Sequence, residues 1–203
     1  MQTFKFDNDI QIPIGAEQRF DEVAKIIAAT STDVRTIAIT STVDEEGKTF
    51  VATNVAKTLA KHDYRVLILM ADMRKTITVD DKVTMGMMDV LDGKVNVENV
   101  IYRTDVEGVD VILSGASKEN ENLVIDRQVY AVMLKCLKEE YNYIIVDMPT
   151  MGYTDNDEVF LREADVGIMV IQPNAGSKRR LKNNLKIMDV YNCKVLGAVL
   201  NNR

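Results

Sequence analysis

Lys48 and Thr49, set directly after Gly47, are the residues of this chain whose types and spacing could do the most specific chemistry. The surrounding stretch, IAITSTVDEEGKTFVATNVAKTL, is an apolar run, a polar turn and then a helix-like pattern. That is the layout of a phosphate-binding loop. A strand ending at Thr40 would deliver backbone N–H groups and the positive end of a following helix to a polyphosphate. The Lys48 ammonium would neutralise phosphate charge, and the Thr49 hydroxyl would ligate the Mg²⁺ that accompanies ATP. The pattern is imperfect, because G-x-x-x-x-G-K-[ST] calls for glycine at position 42 and the chain has Thr42. Asp44, Glu45 and Glu46 also put three carboxylates where polyphosphate should lie, so repulsion is expected there.

Two further carboxylates fall where such a site needs them. RVLILM (Arg65–Met70) and YIIV (Tyr143–Val146) are short apolar runs followed by Asp72 and Asp147. Runs of that kind are what fully buried parallel strands look like. In an open α/β sheet, carboxylates at the carboxyl ends of the strands line the ligand crevice. The plainer reading of each aspartate is a turn residue or a helix cap.

The elements that must position these residues alternate regularly. Helical spacing covers Glu17–Ala29, Lys48–Lys61, Met87–Leu91, Glu121–Glu140, Asn156–Arg162 and Lys178–Asp189. Strand patterns cover Val34–Thr40, Arg65–Met70, Val109–Leu113, Tyr143–Val146, Val166–Ile171 and Val195–Leu200. Strands joined through helices imply parallel pairing, hence an α/β fold with a doubly wound, mostly parallel sheet. No repeat or low-complexity segment interrupts the 203 residues, which read as a single nucleotide-binding domain with an N-terminal extension and helix over 1–30.

Composition removes other classes. A hydrophobic fraction of 46% supports a true core, and the net charge of −6 carries no basic block, so nucleic acid is not an expected partner. No apolar run approaches the roughly 20 residues that span a bilayer, and Met1–Phe6 does not resemble a secretory leader, so a cytoplasmic location is expected. Cys136 and Cys193 lack metal spacing and read as buried hydrophobes, and with one histidine a zinc site is not expected. His62 reads as a surface residue at a helix end, Asp155 as the cap of the next helix, and Met85, Met87 and Met88 as gap-filling core. Lys178, Arg179 and Arg180 read as a solvated basic helix start.

Over about Phe20 to Asn201 the chain resembles the kinase domain of the bacterial tyrosine kinases of capsule and exopolysaccharide synthesis, which are similar in fold to septum-site and partitioning P-loop ATPases. ITSTVDEEGKTFVATNVAKTLA resembles the family's first nucleotide-binding motif, VLILMADMRK its second acidic motif D-x-D-x-R, and YIIVDMP its third. LSGASKENENLV is similar to the stretch before the long helix, and VLGAVLNN to the last strand. The resemblance implies ATP and Mg²⁺ as cofactors. It implies Lys48, Asp72 and Asp147 as catalytic residues. Glu46, Gly47, Lys48, Thr49, Phe50, Arg74 and Asn201 would contact the nucleotide, Asn201 near the adenine, while Thr49, Asp72 and Asp147 would serve the metal. Read plainly, Arg74 is a surface charge and Asn201 a strand-ending residue.

The partner implied is the cytoplasmic end of a membrane adaptor that regulates polysaccharide chain length, with recruitment to the inner face of the membrane and homo-oligomerisation as further expectations. Departures fall on the chemistry. Met70 stands where the family's first Asp helps to deprotonate tyrosine, and a thioether can neither accept that proton nor hold Mg²⁺ well. Asp44-Glu45 replaces Pro-Gly, Asp21 and Ala24 stand where an oligomerisation motif has arginines, and the seven tyrosines are scattered rather than gathered in a tail. These changes imply impaired transfer. The alternatives are a nucleotide-dependent regulatory pseudokinase and a partitioning-type ATPase, the latter disfavoured by Val43 where such enzymes carry lysine.

Overall fold

Strands whose residues are apolar on both faces must be covered on both faces, and the tertiary structure meets that demand. It is a computed structural model describing residues 3–6, 12, 15–74, 78–79, 82–115, 124–173 and 175–202. In chain order the elements are β1 (Thr3–Phe4), α1 (Glu17–Thr30), β2 (Thr36–Ser41), α2 (Lys48–Lys61), β3 (Val66–Met70), β4 (Thr78–Val79), β5 (Lys82–Val83), α3 (Met87–Leu91), β6 (Ile101–Thr104), β7 (Val109–Ile112), α4 (Arg127–Glu140), β8 (Tyr143–Asp147), α5 (Asp157–Glu163), β9 (Val166–Ile171), α6 (Lys178–Val190) and β10 (Lys194–Leu200). Eight strands form one sheet in the order β1-β6-β7-β3-β8-β2-β9-β10, and β4 pairs only with β5. Every pairing in the large sheet is parallel except β6 with β7.

Alternate residues divide between two cores. Ile37 and Ile39 of β2, Val66 and Ile68 of β3 and Ile145 of β8 pack with Phe20, Ala24 and Ile27 of α1 and Val51, Val55 and Leu59 of α2. Ala38, Leu67, Leu69, Ile144 and Val146 turn the other way, against Tyr130, Leu134 and Leu137 of α4, Phe160 of α5 and Met188 of α6. Each fully buried aliphatic side chain is worth roughly 1.5–3 kcal/mol. A register slip of one residue would exchange the two cores, so the central strands are fixed in place. The doubly wound, mostly parallel sheet is thus as the sequence implies.

Several edges differ from expectation. β6 pairs antiparallel beside β7, and its half-exposed IYRT carries no continuous apolar signal. Helix α4 starts at Arg127, because the Asp126 carboxylate accepts from the backbone N–H groups of Gln128 at 2.7 Å and Val129 at 3.2 Å. The start at Glu121 and residues 116–123 of the stretch LSGASKENENLV lie outside the described residues, and Val124, which helical spacing over Glu121–Glu140 would turn toward the core, is 73% exposed. Met87 and Met88 are buried as expected, but Met85 is exposed, as is Cys136, whereas Cys193 is buried. No helix among the described residues is long and apolar enough to cross a membrane.

Candidate functional site

Because β2, β3, β8, β9 and β10 are parallel, their carboxyl ends open on one edge of the sheet. That edge collects residues 41–49 between β2 and α2, residues 70–74 after β3, residues 147–150 after β8, Gln172 after β9 and Asn201 after β10. The turn into α2 depends on Glu45 at φ 64° and Gly47 at φ 88°, both left-handed. Gly47 holds the left-handed conformation that favours glycine, and a Cβ there would stand 2.1 Å from Asn201 Nδ2, which would have to move. No side chain caps α2 at this end, so the helix presents its start to the crevice.

Glu46 is fully buried and organises the loop from inside. Its Oε2 accepts from the N–H of Thr42 at 2.7 Å, the Thr42 hydroxyl at 3.0 Å and the N–H of Val43 at 3.0 Å. Its Oε1 accepts from the N–H of Gln172 at 3.0 Å, tying the loop to β9. The carboxylate is therefore committed to the protein rather than to the crevice. Asn201 Nδ2 donates to the Glu46 carbonyl at 2.9 Å while its own N–H donates to Ile171 O at 2.8 Å, so the end of β10 holds the loop as well.

Lys48, the first residue of α2, is buried, and its ammonium donates to Ser41 Oγ at 3.0 Å and Thr150 Oγ1 at 2.9 Å. One residue on, the Thr49 hydroxyl donates to Asp147 Oδ2 at 2.6 Å. Asp147 is buried at the end of β8, where its Cα pairs with that of Met70. Met70 itself is buried in the apolar core on the α1–α2 side.

Arg74 is not the surface charge its plain reading suggests. Its guanidinium donates to Asp72 through Nε at 2.8 Å and Nη2 at 2.7 Å, and to Asp44 through Nη1 at 3.1 Å and Nη2 at 2.9 Å. The Tyr153 ring lies against it, with its centroid 4.0 Å from Cζ. The Thr150 hydroxyl adds a 2.6 Å bond to Asp44 Oδ1. Arg74 above all, and then Thr150, hold the Asp44 carboxyl down at about 2. The repulsion expected from Asp44 is thus answered within the protein, because guanidinium and hydroxyl take up its charge. The exposed Glu45 makes no comparable contact among the described residues.

Phe50 lies farther along α2 and meets Phe20 of α1 edge to face at 5.8 Å. With Arg19, Val23, Leu200 and Asn201 these rings line a cavity of about 260 Å³ beside the loop. The sequence-predicted site residues therefore converge on one edge, with Phe50 and Asn201 on the flank of the loop and Asp72 and Asp147 at its mouth. Ser41, Thr150, Asp44 as an ion-pair partner, Gln172 and Tyr153 were missed. Thr150 could have been suspected as a hydroxyl three residues after Asp147. Asp155 does not cap α5, whose first residue is preceded by Asn156 with no side-chain cap bond. His62 is the exposed residue at the end of α2 that its sequence position implies, with Nε2 2.6 Å from Asp21 Oδ1, away from the site.

The donor set suits a polyphosphate with Mg²⁺. Thr49, Asp147 and Asp72 offer hard oxygens, and no group of three or more His, Cys, Asp or Glu among the described residues could hold a metal by itself. Mg²⁺ is typically held by one or two carboxylates together with substrate phosphates and water, which such a set allows.

Comparison with known proteins agrees with this geometry. The sequence profile of the AAA domain family matches residues 34–194. The tyrosine-protein kinase CpsD of Streptococcus pneumoniae serotype 4 is 24% identical over 191 residues, 92% of this chain and 84% of that protein. The kinase domain of the Escherichia coli tyrosine kinase ETK superposes with a TM-score of 0.78 at 25% identity, covering 97% of this chain and 82% of that one. The septum site-determining protein MinD of Pyrococcus horikoshii, complexed with Mg-ADP, gives a TM-score of 0.69 at 24% identity over 83% of this chain and 70% of that one, a likeness of fold.

Proposed function

We propose, from the premise that this chain belongs to the AAA domain family, that it is a nucleotide-binding protein of the bacterial tyrosine-kinase type, taking Mg-ATP at the β2–α2 loop. The observation that carries the reading is the placement of Lys48. A buried ammonium at the first residue of α2, donating to Ser41 and Thr150 beside the Thr49–Asp147 pair, sets a positive charge at the loop where phosphate would lie. When bound, Mg²⁺ would neutralise phosphate charge between the Thr49 hydroxyl and the carboxylates of Asp147 and Asp72. Gly47 lets the backbone approach the phosphates, while Phe50, Asn201 and the cavity between them suit the base. Glu46 acts indirectly, by holding the loop.

Transfer to a protein tyrosine is the reaction that the relatives' names suggest. In this chain, positioning and charge neutralisation are provided for by Lys48, Arg74, Asp72 and Asp147. The proton acceptor is what is missing. Met70 fills its place in the motif and is packed into the core. General-base help is worth about 10²–10⁴-fold, so feeble phosphorylation is the expected level. The same observation favours a second reading, a regulatory pseudokinase that signals through its nucleotide-bound shape. In either role the partner is proposed to be the cytoplasmic end of a membrane adaptor for capsule or exopolysaccharide assembly, recruiting the protein to the membrane, with self-association as a further feature.

The test is calorimetry with Mg-ADP and Mg-ATP on the native chain and on Lys48→Met. Marked weakening in the variant is expected. Equal affinities would remove the phosphate-loop assignment, and robust autophosphorylation of the native chain that is lost in Lys48→Met would replace the impaired reading with an active one.

A further inference from the structure

Asp44 is half exposed on the β2–α2 loop, yet both carboxylate oxygens are engaged. Oδ1 accepts from Thr150 Oγ1 at 2.6 Å and Arg74 Nη2 at 2.9 Å, and Oδ2 accepts from Arg74 Nη1 at 3.1 Å. The Thr150 hydroxyl that grips it also accepts from Lys48, at 2.9 Å. A planar guanidinium, a hydroxyl and a nearby ammonium are the donors that recognise a phosphoryl group as readily as a carboxylate. Backbone N–H groups of such a loop cradle the inner phosphates, whereas its lysine reaches outward to the terminal one. The donors that Asp44 engages therefore lie on the side of the loop that a terminal phosphoryl must use.

Arg74 cannot readily follow Asp44 away. Two bonds to Asp72 and the face of Tyr153 fix its plane, so it would stay in place if Asp44 left. Asp44, on a half-exposed loop, can leave into water.

We infer that Asp44 is a specificity-determining residue, an internal carboxylate that occupies Arg74 and Thr150 and biases the site toward a nucleoside diphosphate over a triphosphate. The inference rests on the nucleotide-binding reading given above. A diphosphate binds with Asp44 in place. A triphosphate must expel it and then meets its unpaired charge, so the cost falls on the third phosphoryl alone.

The experiment is calorimetric titration of the full chain with Mg-ADP and with Mg-ATP, for the native protein, Asp44→Asn and Glu45→Gln. Asp44→Asn is close to isosteric, and Glu45→Gln removes the same charge from the neighbouring, exposed position. The native chain should bind Mg-ADP about tenfold more tightly than Mg-ATP. Asp44→Asn should tighten Mg-ATP by about tenfold and Mg-ADP by less than about twofold, the scale of losing a charge-assisted contact. Glu45→Gln should move both nucleotides alike. Equal tightening of both by Asp44→Asn would reduce Asp44 to general repulsion and overturn the inference, while leaving nucleotide binding intact. Tighter Mg-ATP binding by the native chain would overturn it without any variant. Absence of binding by every protein would remove the nucleotide site and this inference together.

Discussion

The Thr49 hydroxyl and the Asp147 carboxylate stand 2.6 Å apart and join the first turn of α2 to the end of β8. Under the nucleotide reading this pair is where Mg²⁺ enters. Asp147→Asn should remove most of the gain in nucleotide affinity that Mg²⁺ gives the native chain, about 10–100-fold, as disrupting a metal's close surroundings typically does. Titration with Mg²⁺ and with a chelator checks this. An undiminished Mg²⁺ effect in Asp147→Asn would move the metal elsewhere.

Gly47 and Asn201 make a paired prediction. Gly47→Ala introduces a Cβ 2.1 Å from Asn201 Nδ2 and also a left-handed alanine. Nucleotide binding should fall below detection. In the Asn201→Ala background the collision disappears and the backbone cost of about 1–2 kcal/mol remains. The double variant should therefore bind better than Gly47→Ala alone, a non-additivity that denaturation and titration would both register.

Met70→Asp restores the family's carboxylate but places it in an apolar core. Losing the packed side chain and burying a carboxyl should together destabilise the protein by about 3–5 kcal/mol. Phosphorylation of a supplied tyrosine-rich peptide should nevertheless rise above the native level while the unfolding midpoint falls. Chemical denaturation and mass spectrometry, run on the same sample, test both halves. An unchanged midpoint would mean that position 70 opens to water.

Acid stability should carry the mark of Asp157, whose burial raises its carboxyl from 3.8 to about 6. The folded state keeps a proton that the unfolded chain releases, so this contribution is full below about pH 4 and is lost as pH rises through 6. Its size is on the order of 3 kcal/mol. Asp157→Asn keeps an acceptor for the Gly152 N–H and should flatten the slope of stability between pH 4 and 6, leaving the variant more stable at pH 7. Asp44 acts in the opposite sense, since its contribution is present above its unfolded value of 3.8 and is lost as pH falls toward 2. Denaturant midpoints from pH 2 to 7 separate the two, and parallel curves for native and Asp157→Asn would exclude the buried acid.

Sequence made the central strands legible because apolar runs such as VLILM and YIIV leave no other choice than burial on both faces. Lys48, Thr49 and Asp147 were legible for a different reason, since each stands at a fixed offset from a strand end. What stayed hidden depends on distance in space. Nothing local links Asp44 to Arg74 or to Thr150, and the charge pattern alone suggested repulsion where the fold makes an ion pair. Val124 was drawn into the expected core by helical spacing, but the cap at Asp126 starts the helix after it. β6, between β1 and β7, was missed because its four half-exposed residues carry no continuous apolar run.

Under the nucleotide reading, the bond from Asn201 to the Glu46 carbonyl would give the sheet's last strand a role in ligand affinity. β10 is an exposed edge, with Leu200 65% exposed just before Asn201. Docking of that strand on β9 and order in the phosphate loop thereby become two faces of one equilibrium, and linkage makes them reciprocal. A nucleotide that settles the loop slows fraying of the edge, measurable as slower amide exchange in β10. Whatever grips the edge from outside tightens the loop by the same free energy, so the rim of the sheet reports on occupancy at its crevice.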